Sequence, residues 1–154
     1  MTSAPGGPRL SVMETVHATA VAIEGSAVLL RGPSGSGKSD LALRLIDGGA
    51  MLVADDRVVL SRRGREVVAE APPAIAGRLE VRGFGIVRLC HAGPAPLRLV
   101  VELTPQDEVE RLPKAAETVL LGVAVPVMNL APFEASAPAK LRLALRLAPG
   151  EIER

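Results

Sequence analysis

Apolar residues fall in short runs along this chain, and glycine, proline and charged turns separate them. Ala18 to Ile23 and Ala27 to Arg31 flank Glu24-Gly25-Ser26 and predict two strands joined by a turn. Beyond a glycine-rich stretch, Leu41, Ala42, Leu45 and Ile46 recur at helical spacing, and Gly48-Gly49 ends that helix. Met51 to Ala54 reads as a short buried strand that stops at Asp55-Asp56. Val58 to Leu60 and Glu66 to Ala69 frame an Arg-Gly-Arg turn and predict a hairpin, after which Ala71-Pro72-Pro73 breaks the pattern. Leu79 to Val87 is punctuated by glycine and partly extended. Leu97 to Leu103 predicts a strand, Gln106 to Arg111 a short helix, and the β-branched run Val119 to Val127 one more strand. Ser136 is placed to cap a helix entered through Pro138 and running to about Leu147. Its Lys140, Arg142 and Arg146 alternate with Leu141, Leu143, Leu145 and Leu147, which is not a clean helical stripe and suggests burial on more than one side.

These elements predict an α/β fold, with a mixed sheet because the strands are short and partly hairpin-like. Residues 1–10 read as a flexible tail and 11–154 as a single domain, without internal repeat or linker. Apolar residues make up 48% and charged residues 23% of the 154, which is a globular balance. Phe84 and Phe133 are the only aromatics, so the core must be built from Val, Leu, Ile and Ala. So few rings argue against binding single-stranded nucleic acid by stacking. A formal charge of +1 and the lack of a long basic run give no electrostatic support for a nucleic-acid or membrane-surface role. Arg62, Arg63 and Arg65 read as the solvated turn around Gly64. Cys90 stands alone, so no internal disulfide forms, which suits a reducing compartment, and it reads as a packing residue rather than a nucleophile. No secretory pattern opens the chain and no apolar run approaches the ~20 residues that span a bilayer, so the expected location is the cytoplasm.

One motif names a chemistry. Gly32, Pro33, Ser34, Gly35, Ser36, Gly37, Lys38 and Ser39 form G-x-x-x-x-G-K-S between the apolar Val28-Leu29-Leu30 and Leu41-Ala42-Leu43. Glycines let the backbone curl so that successive N–H groups face a phosphate, and the following helix adds its positive end. Lys38 can reach the β- and γ-phosphates, and the Ser39 hydroxyl can coordinate Mg²⁺. A random chain of this length would match roughly once in a few hundred tries, and a flexible linker would not place Lys-Ser at a strand–helix junction.

Carboxylates follow. Asp55-Asp56 ends a strand past the first helix, where such an enzyme needs a group to hold the metal or accept a proton. Adjacent carboxylates repel, which could raise the pKa of one of them. From the residues alone, Glu80 is either functional or the partner of Arg82 on the same strand face, and His17 beside an apolar strand is more often structural than catalytic.

Taken together and in order, His17, the loop at 32–39, Val53-Ala54-Asp55-Asp56-Arg57, Ala71-Pro72-Pro73 and Leu79-Glu80-Val81-Arg82-Gly83-Phe84-Gly85-Ile86 resemble the catalytic domain of HPr kinase/phosphorylase. The match runs from about Val16 to Leu103. The resemblance implies a P-loop fold of that family's C-terminal type and transfer of phosphate from ATP, with Mg²⁺, to a serine of the phosphocarrier HPr. It implies an active-site role for His17, phosphate binding by Lys38, Mg²⁺ ligation by Ser39 and Glu80, and proton acceptance by Asp56 with Asp55 as its close partner. It also implies a homo-oligomer, a hexamer in the family. The chain departs from the pattern in two places. His17 lies too near the start to leave room for the family's usual N-terminal domain. Where the family shows Arg-Pro-Gly-Arg after Val125-Pro126-Val127, this chain reads Met128-Asn129-Leu130-Ala131-Pro132. The C-terminal segment linked to dephosphorylation also has no match, so kinase activity keeps its core residues and phosphorylase activity loses support. The chain is similar to the short alphaproteobacterial form, in which HPr serves a regulatory phosphorelay. A kinase for another acceptor and a non-catalytic nucleotide sensor are the alternatives. No arginine is assigned to the transferring phosphate, with Arg57 and Arg82 as candidates.

Overall fold

Two residues with positive φ, Glu24 (50°) and Gly25 (83°), fold Thr19–Ile23 (β2) back onto Ser26–Arg31 (β3). A two-residue turn of this sign matches the right-handed twist of the strands it joins. The computed structural model describes residues 13–147 and 149–154, so the tail expected at residues 1–10 lies outside the described residues. Strand β3 leads through the phosphate-loop sequence into helix α1, Lys38–Asp47. Then come β4 (Met51–Ala54), the hairpin β5 (Val58–Arg63) and β6 (Glu66–Glu70), and the separate two-stranded hairpin β7 (Arg78–Val81) and β8 (Gly85–Arg88). The chain continues through β9 (Ala95–Leu103), β10 (Ala116–Leu120), β11 (Val123–Leu130) and helix α2, Ala137–Arg146. A first strand, β1 (Met13–Val16), pairs with β5 and was not expected, because its positions are exposed or half-buried and carry no apolar alternation.

Strand β9 organises the sheet, whose order runs β1-β5-β6-β9-β3-β2-β4. Its first residues pair antiparallel with β6, while Leu97 to Glu102 pair parallel with β3 and Val100 to Leu103 parallel with β11. The sheet is mixed, as expected, and β3, β9 and β11 end on the same side. Alternation along β2 and β3 divides the core. Ala20, Ala22, Ala27 and Leu29 pack with Val53, Leu60 and Val100 on one face. Val21, Val28 and Leu30 pack with Leu41 and Leu45 of α1 and Leu141 of α2 on the other.

Several elements differ from the sequence reading, each for a physical reason. Val119 to Val127 is not one strand: Leu121 (φ 51°) and Gly122 (φ 80°) turn it into the β10–β11 hairpin. A leucine in a left-handed turn leaves no polar mark in the pattern. Gln106 to Arg111 yields only a 3-10 turn at Gln106–Glu108, since it has no apolar stripe to bury. Ser136 stands at the N-cap of α2 but its side chain makes no capping bond. Cys90 is exposed rather than packed. Helix α2 buries a single stripe, with Ala137 and Leu141 inside and Leu143 46% exposed. Its Arg142 turns inward to donate to the carbonyl of Leu45 at 2.9 Å, satisfying the negative end of α1. A β-carbon on Gly48 would meet that guanidinium at 2.5 Å, so a side chain there would have to displace it.

The stripe gives a direct test. Leu141→Ala is expected to cost about 2–5 kcal/mol in urea unfolding, while Leu143→Ala stays within about 0.5 kcal/mol. Equal costs would contradict the one-sided burial of α2.

Candidate active site

The loop between β3 and α1 curls because of its glycines. Gly35 (φ 81°) and Gly37 (φ 101°) adopt left-handed backbone that other residues resist. Gly37 is constrained twice, since a β-carbon there would come within 2.9 Å of the Phe133 ring. A turn closed by Ser36 N–H donating to the Pro33 carbonyl at 3.0 Å tightens the loop. Gly37 is the N-cap of α1 and offers no side chain, so the first-turn N–H groups remain directed at whatever fills the loop. Lys38 is buried and bends back over the loop, its Nζ donating to the carbonyls of Gly32 at 2.6 Å and Pro33 at 3.0 Å.

Asp55 ties this loop to the rest of the molecule. It follows β4 directly and is 9% exposed. Its Oδ1 accepts from the Ser39 hydroxyl at 2.8 Å and the Thr19 hydroxyl at 3.0 Å, and its Oδ2 accepts from the backbone N–H of Glu80 at 3.1 Å. The adjacent Asp56 goes the other way. It has φ 72°, a conformation Asp tolerates better than most residues, and its carboxyl is 64% exposed. The Nε2 of His17 lies 2.7 Å from its Oδ1. The Asp56 carbonyl also accepts from Ala18 N–H at 3.2 Å, so the two segments are held by backbone as well. The neighbouring carboxylates therefore diverge and have no partner in common.

Most of the residues singled out for chemistry meet at one place. His17, Lys38, Ser39, Asp55, Asp56 and Glu80 line one cleft of about 470 Å³. Arg82 also lines it, while Arg57 does not. The pairing of Glu80 with Arg82 is not formed, since Arg82 has already entered the β7–β8 turn. A larger cavity of about 1160 Å³ lies at the opposite end of the sheet, against α2, and holds none of these groups. Its Arg98 and Arg142 are already engaged by Glu66 and by the Leu45 carbonyl. The smaller cleft is the candidate site because the donors converge there. Ser39, Asp55 and Glu80 supply hard oxygen ligands, which suit Mg²⁺. Among the described residues no cluster of three His, Cys, Asp or Glu forms a cage. Mg²⁺ needs none, since it keeps waters and takes phosphate oxygens beside one or two protein ligands.

The sequence reading missed three residues here. Thr19 is fully buried in a run otherwise apolar, and that lone polar position was the available signal. Arg44, which does not line the cleft but donates to the carbonyls of Pro132 and Glu134 beside Phe133, has no such signal, since a basic residue in the last turn of a helix is ordinary. Phe133 lines the cleft, and its rarity as one of two aromatics was its signal.

Comparison with known proteins bears on the chain as a whole. Residues 8–140 match the model of the HPr Serine kinase C-terminal domain family. The chain is 39% identical to the HPr kinase/phosphorylase of Chlorobium phaeobacteroides, over 79% of this chain and 40% of that protein. It is 41% identical to that of Bordetella petrii, over 70% of this chain and 38% of that protein. The chain thus spans about two fifths of the length of these relatives. The structure of the Hpr(Ser) kinase/phosphatase from Coxiella burnetii superposes with a TM-score of 0.76 at 25% identity, covering 86% of this chain and 88% of that one.

Thr19→Val keeps shape and removes one donor to Asp55. It is expected to lower stability by about 1 kcal/mol in denaturant unfolding while leaving nucleotide affinity in place. Loss of nucleotide binding in a stably folded variant would show that Thr19 does more than hold Asp55.

Proposed function

The chain belongs to the HPr Serine kinase C-terminal domain family, and from that premise we propose that it transfers the γ-phosphoryl group of ATP to a serine hydroxyl of HPr. The observation that carries the reading is the exposed Asp56 carboxylate, held 2.7 Å from His17 at a cleft that also contains the phosphate loop.

The chain's own groups divide the work. Backbone N–H groups of residues 34–39 and the Lys38 ammonium hold the phosphates, with Lys38 exchanging its loop carbonyls for phosphate oxygens. The acceptor serine oxygen forms the new bond to phosphorus as the bond to the ADP oxygen breaks, and Asp56 takes the hydroxyl proton. His17 orients Asp56 through the contact at its Oδ1. Asp55 positions Ser39 and the Glu80 backbone. Arg82, the candidate arginine that lines the cleft, faces the charge of the transferring group. Ser39 and Glu80, beside Asp55, would hold Mg²⁺, which would supply neutralisation of the phosphate charge. This is the kinase direction, and the phosphorylase direction is not part of the proposal. Self-association and a cytoplasmic location belong to the same reading. Self-association rests on the family resemblance. The location rests on the same resemblance; among the described residues no helix is long and apolar enough to cross a membrane.

The test is transfer from labelled ATP, with Mg²⁺, to HPr and to HPr whose acceptor serine is alanine. Label that depends on the serine supports the kinase. No label, with ATP binding verified separately, favours a nucleotide sensor or another acceptor. Asp56→Asn should lower the transfer rate about 10²–10⁴-fold with ATP affinity unchanged, and transfer at the wild-type rate would remove Asp56 as the base.

A further inference from the structure

Phe133 is a large apolar ring left 70% exposed, in a chain that has only one other aromatic. It does not sit on a loose surface loop. Arg44, on the helix that begins with the phosphate-binding lysine, donates to the backbone carbonyls of Pro132 and Glu134 on either side of it. The same Arg44 is held by Asp40, whose carboxylate accepts from its Nε at 3.1 Å. The ring lies against Gly37, with Cζ at 2.9 Å and Cε1 at 3.2 Å from where a β-carbon would stand. An exposed ring is thereby fixed to the rim of the phosphate loop, in the cleft itself. The segment that does this, after β11, is where the chain departs from the pattern it resembles.

Topology tells which end of a bound nucleotide would reach it. In the sheet, β2 and β4 lie on one side of β3, and β9 then β11 on the other. Asp55, Asp56 and His17 come from the β2–β4 side, so the reacting phosphate and its acceptor belong there. Phe133 comes from the β11 side, at the carboxyl ends of the parallel strands β3, β9 and β11, where open α/β sheets take their ligands. A triphosphate with its reactive end toward the acids must send its nucleoside the opposite way. The other aromatic, Phe84, is in the turn of the β7–β8 hairpin that also carries Glu80 and Arg82, on the acid side, and does not line the cleft.

We propose that Phe133 is the base platform of this site, stacking its ring on the flat purine of the nucleoside triphosphate while Arg44 and Gly37 hold it at the loop. The inference rests on the kinase reading for its ligand, and its test separates the two. Mg²⁺-ATP and Mg²⁺-tripolyphosphate, which has the phosphates and no base, are titrated calorimetrically into the full chain and into Phe133→Ala and Phe133→Tyr. The alanine variant should bind ATP about tenfold more weakly, as loss of one base–aromatic stack implies, and bind tripolyphosphate as the wild type does. The tyrosine variant should bind ATP like the wild type. Equal weakening toward both ligands would mean that the ring only props the loop, and would overturn the proposal. So would unchanged ATP affinity, including the case in which the sole effect is a raised KM for HPr. A wild-type chain that binds neither ligand would sink the phosphate-loop reading itself, and the base platform with it.

Discussion

The site depends on the buried carboxylate of Asp55. A single group accepts from Thr19 on β2, from Ser39 at the start of α1 and from the Glu80 backbone on β7. Hydrogen bonds to an ionised acceptor are stronger than neutral ones, and burial keeps water from competing for it. The cost of desolvating the charge is offset only if all the donors arrive together. Four elements are thereby held in one relation, and that relation sets where the phosphate loop lies against the acid strand.

Around that anchor the cleft has two unlike sides. Where β4 ends, Asp56 turns outward with its own partner, His17. The change of direction between two neighbouring aspartates comes from the left-handed backbone at Asp56, which sends its carboxyl to the surface while Asp55 points inward. On the other side, parallel strands β3, β9 and β11 end together and bring the turn with Phe133 against Gly37. Arg44 links this turn to α1, so the helix that presents Lys38 also fixes the far rim. The glycine requirement at Gly37 joins the two sides, because the loop's curl and the ring's close approach fall on one residue.

What could be read in advance was local. The strand–loop–helix of 26–47, its ending at Gly48-Gly49 and the β5–β6 hairpin follow from spacings within a few residues, where backbone hydrogen bonds and φ preferences act directly. The motif residues Lys38, Ser39, Asp55 and Glu80 were identified from their order and were found in one cleft. The misses share a cause. The β10–β11 turn hid inside a run of apolar residues, because Leu121 takes a conformation its side chain does not advertise. Cys90 looked packed because its neighbours are apolar, whereas exposure depends on what lies across the fold.

By itself the sequence determined most of the secondary elements, the curled glycine loop and most of the groups able to do chemistry, since each depends on the residue and its near neighbours. The tertiary structure decided the pairings. Thr19 and Asp55 are 36 residues apart, His17 and Asp56 39, and Arg44 and the Pro132 carbonyl 88. Such contacts follow from which strands lie side by side and in what register. That choice is made by burying two core faces at once, a collective property that no local window of the chain contains.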